Sequence, residues 1–416
     1  AWKNVILFSE HTWGASASGT DPHSKFTKDL WEGKKAYADN ASNQSQILYK
    51  QALSPLHVDK GGDFVHVLNT NLWNRTDVVF LDSMVNLNEK ELITRTGEKV
   101  ETQRLYDGRW AFVAENIPAL SSEVYQIVSK KKSSRRFVSM IAENKILNNG
   151  IVRVEIDEVK GTISSFKRVG DSYEYASNSG LNDYLYTGRY ASDPQGIEQI
   201  LNIRVLDDGA VAATLRIESK APGCNTLWRD VTVYKGIDRV DICNTLDKQD
   251  ILDFENVRFV FPFNIQQPEI TMDLAMSEIH PEREQLEGVN KHYYSLQNGL
   301  AVGDLEHAVC LTTVDAPFVE LGSPSGLDYR LNPRHGYGWW QSAKISPIVY
   351  SWVMTNTWRT NYKASQGGTA KFRYSLQPCN PLDLKLKQRG AEREMELVAV
   401  ASRSSQNIEQ LFRLRS

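Results

Sequence analysis

Asn356-Thr357-Trp358-Arg359-Thr360-Asn361-Tyr362-Lys363-Ala364-Ser365-Gln366-Gly367-Gly368, continuing into Lys371-Phe372-Arg373-Tyr374-Ser375-Leu376, packs amides, aromatic rings, cations and a Gly-Gly break into one stretch beside a strand. Flat rings to stack on, with amides and guanidinium to hydrogen-bond hydroxyls, suit a surface that binds polyols. The same rings suit the interior of a β-sandwich. Trp358 and Tyr362 are therefore candidate substrate contacts, with core packing as the competing reading.

Outward from that stretch, a period of two dominates everything after Val138. Ile151–Asp157 alternates, turns at Val159-Lys160-Gly161-Thr162 and returns through Ile163–Phe166, which predicts a hairpin. Thr214–Glu218, Asp230–Tyr234, Arg239–Ile242 and Val257–Phe261 alternate in the same way, and no long helix stands out. Residues 137–416 thus read as one large domain of two broad antiparallel sheets. Upstream, Phe64–Asn69, Val78–Leu81, Trp110–Val113 and Glu123–Val128 predict a small β-sandwich over 56–132. The basic run Lys130–Arg136 reads as a solvated linker. Residues 1–55 read as a helical remnant: Trp2–Phe8 is a short apolar element, Asp21-Pro22 looks like a helix start, and apolar residues at helical spacing run to Ser54-Pro55. The spacing predicts one long helix over 22–53, with a break near Asn40. Such a helix needs partners for its apolar stripe, and the chain does not obviously supply them.

With 416 residues, 41% hydrophobic and 24% charged, the composition is that of a globular chain of about two or three domains. A net charge of −3 gives nucleic-acid binding no global electrostatic support. No apolar run approaches the roughly 18 residues of a membrane span. The chain starts at Ala1 in what reads as mid-domain sequence, which points to a fragment or a processed product. None of the four cysteines forms a CxxC pair, so buried free thiols are favoured, one disulfide stays open, and the compartment is left unknown.

Common catalytic signatures are missing: there is no GxSxG elbow, no HExxH, no P-loop and no GxGxxG before a helix. His11, between Glu10 and Thr12-Trp13-Gly14, is placed where an imidazole can reach a metal, although one histidine is not a zinc site. Asp328–Gln341 is rich in rings and donors, and reads either as a sugar-contacting loop or as a Trp pair anchoring a long loop. Of the 51 acidic residues, Asp183, Asp304 and Glu306 neighbour apolar groups, but turn or edge roles fit them better than the carboxylate pair of a glycosidase.

Three segments resemble glycoside hydrolase family 38, the zinc-dependent α-mannosidases, in its bacterial type. The 356–376 run resembles a segment near the family's C-terminus. Glu143–Val154 with Gly161–Ser165 resembles the start of its large β-domain. Glu10–Ala15, followed by a helix, is similar to the segment just after its catalytic barrel. The resemblance implies a mainly β fold: a short helical segment, a small β-sandwich, then a mutarotase-like antiparallel super-sandwich. It implies retaining hydrolysis of α-mannosides, a mannose-containing oligosaccharide as partner, and zinc held by two aspartates and two histidines. His11 matches the last zinc histidine; Thr12 and Trp13 follow it as substrate contacts. Many relatives carry an aspartate where Thr12 stands, which puts that contact in doubt. No catalytic residue is then expected in this chain, because the nucleophile and the other zinc ligands belong to an N-terminal barrel that it lacks. The chain alone is expected to be inactive and to hold zinc poorly. The alternatives are a stand-alone carbohydrate-binding β-protein and a mutarotase- or lyase-like enzyme with a His/Glu or Tyr/Arg site in its concave face.

Overall fold

The computed structural model describes residues 1–10, 16–54, 62–81, 85–130, 138–143, 145–188, 193–324, 342–356, 362–403 and 405. The chain is mainly β. Its largest layer is a nine-stranded antiparallel sheet in the order Gln199–Asp208, Ala212–Lys220, Cys224–Tyr234, Val240–Lys248, Gly368–Cys379, Ala308–Thr313, Gly299–Gly303, Glu269–Leu274, Ser277–Ile279. Facing it is a five-stranded sheet ordered Asp183–Thr187, Asn256–Pro262, Ile348–Thr355, Phe318–Leu321, Tyr293–Ser295. The expected hairpin is present: Val152–Ile156 pairs with Ile163–Arg168, within a four-stranded sheet.

Alternation explains why these sheets stack. Val257, Phe259 and Phe261 from one sheet meet Tyr374 and Leu376 from the other in a single core, all five fully buried. Burying an apolar side chain of this size stabilises by about 1.5–3 kcal/mol each. The Tyr374 hydroxyl meets the Ser351 hydroxyl at 2.9 Å, so the one polar group this core admits from that strand is satisfied across the layers.

The second half of the stretch that opened the sequence analysis is therefore a central core strand. Gly368–Cys379 is hydrogen-bonded on both sides, to Val240–Lys248 and to Ala308–Thr313.

A smaller unit precedes this. One sheet holds Phe64–Asn69, Ser121–Ser129, Lys90–Ile93 and Lys99–Val100; the other holds Arg75–Leu81, Trp110–Ile117 and Gln103–Arg104. Val65, Val67, Leu92 and Phe112 form its core. The strand Val398–Ser402 completes the first sheet by pairing Ser402 with Phe64 and Val398 with Leu68, so the chain returns here after the large sheets are built.

The two β units are joined by buried contacts. Val78 and Ala111 pack on Val211, Ala212 and Tyr234. The Gln103 side chain pairs with the backbone of Val211 and Ala212 through three hydrogen bonds of 2.8–3.0 Å.

Helix α1 spans Trp2–Ser9 and helix α2 spans Lys25–Leu53. The expected start of α2 at Asp21-Pro22 is displaced to Ser24, whose hydroxyl accepts from Thr27 N at 3.2 Å; Asp21 instead offers its carbonyl oxygen to the Thr27 hydroxyl. No break occurs near Asn40. Helix α3, Leu386–Glu394, was not anticipated. It buries Leu386, Gly390 and Arg393 at i, i+4 and i+7, one face carrying a single large apolar residue. Among the described residues no helix is long and apolar enough to cross a membrane.

Candidate functional site

Residues 363–365 of the 356–368 stretch meet helix α2 in a groove of about 380 Å³. Its walls are His23, Trp31 and Glu32 on and before α2, and Asp250, Lys363 and Ser365 from the large β unit. Asn356 holds the β-side wall. Its side-chain oxygen accepts from Glu255 N at 2.7 Å, and its amide nitrogen donates to the carbonyls of Ile251, Asp253 and Ala364 at 2.8–3.2 Å. Four bonds from one buried amide fix the 251–255 loop against residue 364.

The Gly-Gly break has a steric cause on each side. A Cβ on Gly367 would lie 2.9 Å from Asp250 Cβ and 3.2 Å from its Cα, and Gly368 sits at φ +94°. Beneath the wall, Lys248 and Glu255 form a buried ion pair at 2.6 Å. Burial pushes the Glu255 carboxyl up, and Lys248 opposes that shift.

On the helical side, the Lys34 ammonium is buried against the end of α1. It donates to the Leu7 carbonyl at 2.8 Å and to the Glu10 carboxylate at 2.5 Å. Glu10, the residue before His11, is thereby anchored one helical turn from Trp31. The groove lining is a mixture of both charge signs, an indole and small side chains, which is the chemistry of a polar contact surface.

His11, Thr12, Trp13 and Trp358 lie outside the described residues, as does the 328–341 segment. Tyr362 is described and is 42% exposed, so it is not a core residue. The structure thus brings the flanks of two segments singled out in the sequence to the N-terminal half of α2: Glu10 through Lys34, and Lys363–Ser365 through the groove beside Trp31. Sequence reasoning missed His23, Trp31 and Asp250; only the position of Trp31 four residues after the capped Thr27 hinted that it shares that face.

The other candidates resolve into structural roles. Asp304 accepts from the backbone N–H groups of Glu306 and His307 at 2.9 and 2.8 Å, a turn. Asp183 sits at a strand start, its carboxyl pushed up by burial. The outer face of the five-stranded sheet carries Arg258 and Glu320, paired at 2.5 Å under the Trp352 ring. Both charges are at most 1% exposed, so the pair is enclosed. Among the described residues no three His, Cys, Asp or Glu side chains converge to hold a metal ion.

The sequence matches no protein-family model and no curated protein. Solved structures share its fold, two of them over nearly its whole length. A glycosyl hydrolase family 38 protein from Enterococcus faecalis aligns over 97% of this chain and 55% of its own length, with a TM-score of 0.69 and 12% identity. An alpha-mannosidase from Enterococcus faecalis V583 aligns over 96% of this chain and 52% of its own, with a TM-score of 0.64 and 12% identity. The chain spans about half the length of these structures. At that identity the likeness is one of fold, and it extends over nearly every element described above.

Proposed function

We propose that this chain is the C-terminal region of a retaining, zinc-dependent α-mannosidase, organised as a helical segment at 1–55, a small β-sandwich at 56–132 and a large β unit at 137–416. The observation that carries this reading is the fold likeness to family 38 structures over nearly the whole chain but only about half of theirs. A second observation agrees with it. Helix α2 has 29 residues and buries only Thr27, Lys34 and Ala41, while Phe26, Leu30, Ile47 and Leu48 are exposed. An apolar face of that size is what a surface packed against further polypeptide would present.

On this reading His11 contributes one zinc ligand, Thr12 and Trp13 border the bound sugar, and the remaining ligands and the nucleophile come from the rest of the enzyme. The groove between α2 and Lys363–Ser365 lies next to that ligand's anchor, Glu10, and the β unit's part is to shape the approach of a mannose-containing oligosaccharide. Trp358 and Tyr362 are the contacts proposed for that part.

The test has two arms. The purified 416-residue chain should not hydrolyse an aryl α-mannoside, with or without added zinc. The same chain joined to the reading frame upstream of Ala1 should hydrolyse it, should lose activity to a chelator, and should lose most of its zinc on His11→Ala. Turnover by the 416-residue chain alone, or an inert joined chain, overturns the proposal. Glycan binding by the isolated chain without activity in the joined one would favour a stand-alone carbohydrate-binding protein.

A further inference from the structure

Cys310 and Cys379 lie on neighbouring strands of the nine-stranded sheet, in a register that pairs Ala308 with Cys379 and Cys310 with Gln377. Residues two apart on a strand share a face, so the two cysteines are diagonal neighbours on one side of the sheet. Their sulfurs are 3.2 Å apart. Both are free thiols, 1% and 6% exposed, in an apolar cluster with Ala301, Ala308 and Leu386 beneath the start of α3. A disulfide bond is about 2.05 Å long, so closing this contact takes about 1.2 Å of sulfur movement. The other two cysteines contact hydroxyls: Cys224 meets Tyr184 at 3.6 Å and Cys243 meets Thr245 at 3.9 Å.

We propose that Cys310 and Cys379 are a dithiol–disulfide couple, a modification site that a small-molecule disulfide such as oxidised glutathione converts to a covalent link between the two strands. The thiolate of Cys379 attacks one sulfur of the oxidant, forming a mixed disulfide and releasing one glutathione thiolate. The sulfur of Cys310 loses its proton to solvent and attacks Cys379 Sγ, forming the intramolecular bond and releasing the second glutathione. Two protein thiols are oxidised by two electrons, and one disulfide is reduced to two thiols.

Cys379 takes the first role for two reasons. It is the more exposed of the pair, and it adjoins the 380–385 segment, whose Leu382 is 93% exposed and whose Lys385 sits at φ 50°, a conformation unfavourable for a non-glycine residue. Local opening there uncovers Cys379 before Cys310. The hydrogen bond from Cys310 also lowers the Cys379 pKa, with Arg389 acting in the same direction, while Cys310 is raised.

The link would close a loop between residues 69 apart at the root of α3. Since this inference does not rest on the proposed function, it can be tested on the 416-residue chain. The chain is equilibrated with graded ratios of reduced to oxidised glutathione, quenched, alkylated in denaturant and mapped by mass spectrometry. The expected result is joint loss of two of the four thiols, a Cys310–Cys379 linked peptide, and a thermal midpoint raised by on the order of 5 °C. In Cys310→Ser the expected product is a glutathione adduct on Cys379 that dithiothreitol removes. Four alkylatable thiols at every ratio, a link that forms only after unfolding in urea, or adducts confined to Cys243 would each overturn the proposal. Because mapping of the unsubstituted chain decides the matter, a poorly folded variant leaves it testable.

Discussion

The chain has two junctions, and they are built on opposite principles. The small sandwich meets the large β unit through a buried ion network. Arg75 pairs with Asp77 at 2.8 Å, Arg239 bridges Asp77 and Asp241 at 3.0 and 2.8 Å, and Arg393 of α3 reaches Asp241 at 3.3 Å. Arg75 also donates to the carbonyls of Met395 and Glu392, and the Trp73 indole donates to the Glu392 carboxylate. All five ionic residues are buried. The helical segment meets the rest of the chain through the groove near the start of α2 and through Leu53, which packs on Leu68 and Val400, and leaves most of α2 in solvent. A buried network commits its partners, because each charge depends on the others to offset its desolvation. A solvated helix with an apolar face makes no such commitment. The difference teaches that the β units are held to one another by buried charge, whereas α2 keeps an exposed apolar face.

The largest way to break this contrast is to remove Asp77. Asp77→Ala leaves Arg75 without its carboxylate and Arg239 with one of two, both out of solvent. We expect a loss of about 3–5 kcal/mol in urea unfolding. A loss below about 1 kcal/mol would mean that the network is not what joins the units.

Asp77 also sets the pH behaviour of this junction. Burial alone would raise its carboxyl, but Arg239, with Arg75 and Arg393, outweighs burial and holds it below its ordinary value. A carboxyl depressed in the folded state stabilises fully above its unfolded pKa, near 3.9, and that contribution disappears as pH falls through the lower folded value. The stability gap between the unsubstituted chain and Asp77→Asn should therefore be widest at neutral pH and shrink below about pH 4. A gap independent of pH would show that Asp77 is not acting through its charge.

Next in size is the fit of α3, which carries Arg393 into the network. Gly390 packs where a Cβ would lie 2.0 Å from Asn298 Cβ, and Asn298 is itself fixed by a 2.5 Å hydrogen bond to the buried Asp273 carboxylate. Gly390→Ala should cost about 1–3 kcal/mol by overpacking, despite alanine's better helix propensity. A stabilised variant would mean that α3 can move off the sheet freely.

How much of this was legible in the sequence follows from how local each feature is. The strands around Val152, Val231 and Phe259 show in the sequence because their period of two is written into a few adjacent residues. Helix α3 does not, since Leu386 is the only large apolar residue on its buried face and Gly390 looks like a breaker. The return of Val398–Ser402 to Phe64–Asn69 is a pairing across more than three hundred residues, and alternation says nothing about partners. The ion network has the same character: Arg75 and Arg393 look like ordinary surface charges until the fold brings them together. In the groove, Lys363–Ser365 came from the stretch first singled out, but its helical wall did not. The Gly367-Gly368 break read as part of a sugar surface proves to be a backbone requirement. Of two tyrosines in that stretch, Tyr362 is exposed and Tyr374 is buried in the core, a distinction the sequence does not make.

The smallest effect is expected where the contrast predicts near-neutrality. Phe26 and Ile47 on α2 are 62% and 55% exposed, so replacing both by glutamine removes little that the isolated chain has buried. Surface substitutions of this kind fall within about 0.5 kcal/mol, and we expect Phe26→Gln with Ile47→Gln to leave urea unfolding of the isolated chain unchanged within that margin. The same pair should lower the chain's tendency to self-associate at high concentration, measured by sedimentation velocity, because the apolar face it interrupts has no cover. If the double variant instead destabilises the isolated chain by more than about 1 kcal/mol, α2 is already packed as a structural element and the two junctions are alike. If stability is unchanged here but falls in the longer chain proposed above, the exposed face of α2 is an interface for that added polypeptide, and the asymmetry between the junctions reflects one interface completed within these 416 residues and one completed by the proposed addition.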